Sequence, residues 1–111
     1  MKISSLEKIK EVASSHSPKI KEKVLIEKGG VPHLASFSQA SFKPGQIASE
    51  HKHEDTWEVY LVEAGTGLVK VNGKVNQLKK GDCVVIEPNE AHEFINTGSE
   101  DLILTYFGIE K

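Results

Sequence analysis

The chain has no arginine; all 14 of its basic residues are lysines. Any site it builds therefore lacks the planar guanidinium fork that clamps carboxylates and phosphates in pairs of hydrogen bonds. Lysine still offers a point charge, so anionic ligands are disfavoured without being excluded. There is one cysteine, Cys83, which rules out an internal disulfide and fits a reducing compartment. No apolar run approaches the length of a membrane span. The segment Met1–Val12 carries charges throughout and has no apolar h-region, so no signal peptide is expected and a cytoplasmic location is. A net charge of −2 provides no basic field, and no helix-turn-helix accompanies it, so neither nucleic acid nor a membrane is an expected partner.

What remains is enough for one domain with a single core. Residues 2–14 read as a short amphipathic α-helix. Ile3, Leu6, Ile9 and Ala13 recur at near-helical spacing, and Ser4 with Glu7 has the form of a capping box. This assigns 1–19 to an N-terminal helix and linker packed on the outside, or serving as a lid or dimer contact. His16 reads as a solvated loop residue. From residue 20 to 111 the pattern is β-like. Val24–Ile26, Pro32–Phe42, Glu58–Val62, Leu68–Val71, Val75–Leu78, Cys83–Ile86, Ala91–Ile95 and Leu102–Phe107 are strand candidates separated by turn residues. Asn72-Gly73 is a strong hairpin signal. Cys83–Ile86 is nearly all apolar and reads as buried on both faces, which makes Cys83 a packed core residue rather than a nucleophile. Short strands at regular intervals mean an all-β sandwich or barrel, and a barrel removes exposed edges.

The stretch from Gly45 to Gly65 carries the chemistry. His51 and His53 are two residues apart, so a strand points both imidazoles to one side. Glu58 lies an odd step further on, and the polar Glu54-Asp55-Thr56 segment can turn the chain and restore the parity. If His92 faces inward, it supplies a third imidazole, with Asn96 on the same side. Three histidines and one carboxylate suit one divalent first-row transition metal: iron, manganese, nickel, cobalt, copper or zinc. Their protons must leave for the ion to bind, so occupancy should fall as pH drops through the histidine range.

These residues resemble the two signature motifs of the cupin superfamily. The first, G-x5-H-x-H-x4-E-x6-G, is met at Gly45, His51, His53, Glu58 and Gly65. The second, G-x5-P-x-G-x2-H-x3-N, is met at Gly81, His92 and Asn96 and departs at Glu87 and Asn89. Asn also tolerates positive φ, so the second departure is mild. The resemblance spans about residues 37–107 and implies a small single-domain cupin: a jelly-roll β-barrel, or double-stranded β-helix. It also implies a metal at His51, His53, Glu58 and His92, and a homodimer, as is common among similar small cupins.

Around the ion, Phe42, Trp57, Tyr60, Phe94 and Tyr106 are expected to form a partly aromatic pocket. Glu50, Glu54, Asp55, Glu87, Glu90 and Glu93 adjoin the ligands in sequence, and some of them are expected to ring its mouth. With arginine absent, these acids favour a small neutral, oxygen-bearing or aromatic molecule over a sugar phosphate or dicarboxylate. Tyr60 is the one side chain offered as a base. An octahedral ion with four protein ligands keeps two neighbouring positions open, which suits oxygenase-like chemistry. A tetrahedral zinc would be closed. The reading is thus a metal-dependent enzyme of dioxygenase type, set against a non-catalytic module that binds, senses or stores a small molecule. Isomerase, epimerase and lyase chemistry also occur on this fold, which does not choose among them.

Overall fold

The computed structural model describes residues 1–15 and 17–111; His16 lies outside the described residues. Among the described residues ten strands run in chain order: β1 (Val12–Ala13), β2 (Lys21–Ile26), β3 (Leu34–Phe42), β4 (Ile47–His51), β5 (Thr56–Ala64), β6 (Thr66–Val71), β7 (Lys74–Lys79), β8 (Cys83–Ile86), β9 (His92–Ile95) and β10 (Leu102–Glu110). They form two antiparallel sheets, one of six strands in the order β1-β2-β3-β10-β5-β8 and one of four in the order β4-β9-β6-β7. The chain is an all-β jelly roll.

Alternation along β5 shows how the sequence specifies the sheet face. Thr56, Glu58, Tyr60 and Val62 are buried, while Trp57, Leu61 and Glu63 are exposed. Val62, Ile86, Leu102, Leu104 and Phe42 of the larger sheet pack with Val69, Leu78 and Phe94 of the smaller one. Each such side chain contributes roughly 1.5–3 kcal/mol on leaving water. Asn72 and Gly73 have φ of 49° and 82°, the paired positive values of a type I′ turn, which fits the right-handed twist of the β6–β7 hairpin. At Gly65, with φ of 84°, an added Cβ would stand 2.4 Å from the Asp101 carbonyl oxygen. Only glycine permits the β5–β6 corner to pass so close.

Asn96 ties the two sheets together beneath the site. Its side-chain amide donates to the carbonyls of Phe42 (2.9 Å) and Glu100 (2.8 Å), and its Oδ1 accepts from the Gly98 amide. It is fully buried with its hydrogen-bonding capacity used, as a buried amide requires.

The N-terminal helix does not form. Residues 6–9 make a turn in which the amides of Lys8 and Ile9 both donate to the Ser5 carbonyl. The chain then straightens and pairs as β1 with β2. Ser4 Oγ and Lys23 Nζ hold the segment down through the carbonyls of Leu25 and Leu6. A helix of about a dozen residues is marginal without a buried stripe, and Ile3 is exposed, whereas the β2 edge offers unpaired backbone groups. Residues 12–13 therefore belong to the larger sheet rather than to a helix-and-linker appendage.

Cys83 is also misplaced by the sequence reading. It is exposed, because β8 is the edge strand of the larger sheet and its outer face carries no covering layer. Val85, on the same face, is likewise exposed.

Candidate metal centre

Strands β4 and β9 are paired, and a bulge between Ala48 and His51 shifts the register so that His51 lies opposite His92. The extra residue in β4 aims the His51 ring inward, and the two ring centroids are 4.3 Å apart. Glu58 arrives from β5, in the other sheet, on its inward face. One ligand atom from each of His51, Glu58 and His92 can be chosen so that all lie within 4.8 Å of one another, a group able to hold a metal ion.

His53 follows β4 in the loop that leads to β5. Its Nε2 lies 3.8 Å from Glu58 Oε1, and its ring is 5.1 Å from that of His51. The loop is held by the Asn89 amide, which donates to the His53 carbonyl at 2.7 Å. Asn89 adopts φ of 70°, the left-handed conformation that asparagine tolerates, so the two motifs meet through a backbone hydrogen bond at the position where glycine was expected. The four residues singled out in the sequence thus surround one region. His51, Glu58 and His92 are close-set, with His53 at its more open side.

The histidines are oriented by the backbone. Nδ1 of His92 lies 2.9 Å from the Glu90 carbonyl oxygen, and Nδ1 of His51 lies 2.9 Å from that of Ser49. A carbonyl accepts the hydrogen bond from Nδ1–H and so leaves Nε2 of the neutral ring as the electron-pair donor, the arrangement that outer partners impose on metal-binding histidines. Glu90 is itself set by a turn in which its carboxylate accepts from the Glu87 amide.

His92 is wholly buried. Its Nε2 approaches Glu58 Oε1 to 3.1 Å, yet both atoms are buried without a well-formed hydrogen bond among the described residues. The two buried atoms stand at ion-pair distance without a formed hydrogen bond between them, which leaves bonding capacity on both for a third partner. A cation between them supplies that partner, so the residues fit a metal.

Burial by itself would raise the Glu58 carboxyl. The neighbouring His92, the Tyr60 hydroxyl and His53 outweigh it and hold the group below the ordinary carboxylate value. Burial would likewise lower His92, but Glu58 and the Glu90 carbonyl raise it above the ordinary imidazole value. Each stabilises the other's charged form. Tyr60 donates from Oη to Glu58 Oε2 at 2.9 Å; burial, then the charge and hydrogen bond of Glu58, raise its phenol well above the ordinary value. The hydrogen bond makes Tyr60 a donor that fixes Glu58.

A cavity of about 410 Å³ opens beside the histidines and is lined by Phe42, Tyr60, Phe94 and Tyr106 among others. Tyr60 stacks on Tyr106 at 5.0 Å and meets Phe94 at 4.5 Å. Trp57 does not join them. It is 41 % exposed on the outer face of β5, as its position next to inward-facing Glu58 requires. Besides Glu58, the acids of the cavity wall are Glu22 and Glu110, not the sequence neighbours of the ligands expected at the mouth. Neither is singled out by the sequence, in which the strand is expected to begin only at Val24, after Glu22.

The cupin domain family model matches residues 38–108. The chain belongs to the cupin family. Among curated relatives, an oxalate-binding protein of Thermotoga maritima is 36 % identical over 66 residues, covering 60 % of this chain and 54 % of the relative. Gentisate 1,2 dioxygenase 1 of Aquipseudomonas alcaligenes is 22 % identical over 86 residues, covering 72 % of this chain and 25 % of that enzyme. The chain spans about half the length, or less, of the curated relatives it matches. Among solved structures, a predicted oxalate decarboxylase from Thermotoga maritima superposes with a TM-score of 0.92 at 25 % identity, covering 99 % of this cupin and 100 % of that chain. Among the described residues no helix is long and apolar enough to cross a membrane.

Proposed function

We propose that this cupin holds one divalent first-row metal through His51, His53, Glu58 and His92 and uses it to bind a small oxygen-donor molecule. The observation that carries the reading is the buried Glu58 Oε1–His92 Nε2 pair, 3.1 Å apart and without a formed hydrogen bond among the described residues. When bound, the ion acts as a Lewis acid that accepts ligand oxygens. Three neutral imidazoles and one carboxylate leave a divalent ion with a net positive charge, which attracts an anion without any arginine. The absence of arginine thus weighs less against a carboxylate ligand than it does in a metal-free site. Likeness to an oxalate-binding relative supports the same class.

The protein's own residues suit binding better than proton transfer. Tyr60 is fixed as a donor to Glu58, and the remaining walls near the ligands are largely apolar. Calorimetry of manganese-loaded protein with oxalate tests the proposal: one-site binding that disappears in metal-stripped protein is expected. Equal binding with and without metal would contradict it. Oxygenase chemistry is the second reading, favoured by the aromatic-lined cavity beside the four candidate ligands and by likeness to a dioxygenase. Oxygen uptake by the iron-loaded protein over a panel of small phenols and acids separates the two.

A homodimer completes the proposal. Trp57 (41 %), Leu61 (39 %), Val85 (53 %) and Ile109 (47 %) are exposed on adjoining strands, in register as Trp57–Ile109 and Leu61–Cys83. Together they present on the order of 400 Å² of apolar surface, large for a monomer. That is about half of the ~800 Å² per partner in a standard interface, enough for its apolar centre. A second copy applying the same face would cover it. Light scattering should give twice the monomer mass and the monomer mass for Leu61→Lys; a monomeric parent would refute the assembly.

A further inference from the structure

The cavity has a second polar end. Glu22 projects into it from β2 because its register partner is the inward-facing Ala40 on β3. Tyr106 Oη donates to Glu22 Oε2. Burial, followed by the hydrogen bond and charge of Glu22, raises the Tyr106 phenol above its ordinary value, so the tyrosine remains the donor and the carboxylate the acceptor. Among the described residues no cation lies within ion-pair distance of Glu22. Lys28, which lines the same cavity, pairs with Glu110 at 3.4 Å. Glu22 is half-buried, and one tyrosine uses one of its several acceptor positions.

The stacked rings of Tyr60 and Tyr106 join this end of the cavity to the histidine end. Tyr60 reaches Glu58 and Tyr106 reaches Glu22, and along β10 the two carboxylates lie to opposite sides of Tyr106: Glu58 pairs with Gly108, and Glu22 pairs with Ala40, the partner of Leu104. We infer that Glu22 and Tyr106 form a subsite for the far end of the ligand, and that this end carries a hydrogen-bond donor, a hydroxyl or an ammonium group. The inference rests on the proposed chelation of a ligand by a bound metal at the other end. It narrows the ligand class to bifunctional molecules: an oxygen-donor head, a flat or slender body, and a donor tail. Oxalate occupies only the head position in this scheme.

Calorimetry of manganese-loaded protein with three probes tests it: oxalate, phenylpyruvate and 4-hydroxyphenylpyruvate. The two aryl 2-oxo acids share a chelating head and a flat body and differ only in the terminal hydroxyl. The parent protein should prefer the hydroxylated probe by on the order of tenfold, as a hydrogen bond to a charged acceptor gives. In Glu22→Gln that preference should shrink to about twofold or less, with manganese stoichiometry unchanged as evidence of an intact fold. Tyr106→Phe, which keeps the ring stack, should also reduce it. Equal affinity of the two aryl acids for the parent protein, or a preference that survives Glu22→Gln, would overturn the subsite. So would binding of oxalate with neither aryl acid bound. Failure of oxalate as well would instead remove the metal-chelation reading on which the subsite stands.

Discussion

Two glutamates face one cavity, and each accepts a hydrogen bond from a tyrosine of the same stacked pair. Glu58 takes its bond from Tyr60, and Glu22 takes its bond from Tyr106. Their surroundings differ in one respect. Glu58 has the imidazoles of His92 and His53 at 3.1 and 3.8 Å, while no cation approaches Glu22 among the described residues. The first carboxylate sits in a ring of electron-pair donors that a metal can close. The second is an acceptor awaiting a donor. The same side-chain chemistry on two strands of one sheet thus serves two ends of a ligand, and the neighbours decide which.

The comparison is broken most directly by removing one carboxylate at a time. Glu58→Gln should lower metal affinity by on the order of 100-fold or more, beyond what outer partners contribute, whereas Glu22→Gln should change it by less than about threefold. Competition titration with a chromophoric chelator reads both. Parity between the two variants would erase the distinction drawn here.

Next in size is the response of stability to metal and pH. Metal at a hundredfold excess over its dissociation constant adds about 2.7 kcal/mol, a rise in Tm on the order of 10–20 °C for a domain of this size. In the metal-free protein, His92 is raised in the folded state. Its contribution is complete below the unfolded value near 6.5 and is lost as pH rises through the folded one. Glu58 is lowered from 4.5, so its contribution is complete above that value and is lost as pH falls through the folded one. Metal-free protein should therefore weaken towards both alkaline and strongly acid pH. The increment from added metal should instead grow from pH 5 to pH 8, as the ion displaces the His92 proton. Thermal melts with metal and with chelator across that range check the opposed trends.

The tyrosines sharpen the comparison at smaller scale. Tyr60→Phe keeps the ring contacts but releases Glu58 Oε2, and it should weaken metal binding roughly 10- to 100-fold, as loss of an outer partner does. Tyr106→Phe, one ring away, should leave metal binding within about twofold. Smallest of all, Cys83→Ser on the outer edge strand should change stability by less than about 0.5 kcal/mol. Leu104→Ala in the core should cost about 2–5 kcal/mol. Denaturant titration distinguishes them.

Much of this arrangement was legible in the sequence because it depends on local alternation. The β6–β7 hairpin follows from Asn72-Gly73, the inward face of β5 from Glu58, Tyr60 and Val62, and the candidate ligands from their motif spacing. Trp57 could have been placed correctly by the same rule, since a strand neighbour of inward Glu58 must face outward. Other features depend on strand order, which one sequence does not carry. Cys83 reads as core because β8 is apolar, and it is exposed because β8 is an edge. Glu22 lies before the strand expected at Val24–Ile26, and it faces the cavity because of its register with β3. The N-terminal segment has helical spacing, but the free edge of β2 supplies backbone partners that a solitary helix lacks.

The central claim is that the four residues of the two motifs hold one metal ion. Metal-stripped protein titrated with manganese at pH 7.5, followed by dialysis and elemental analysis, tests it most directly. The account predicts one equivalent retained by the parent protein and less than a tenth of an equivalent by Glu58→Gln. No retained metal in the parent protein, or one full equivalent in the variant, would contradict it.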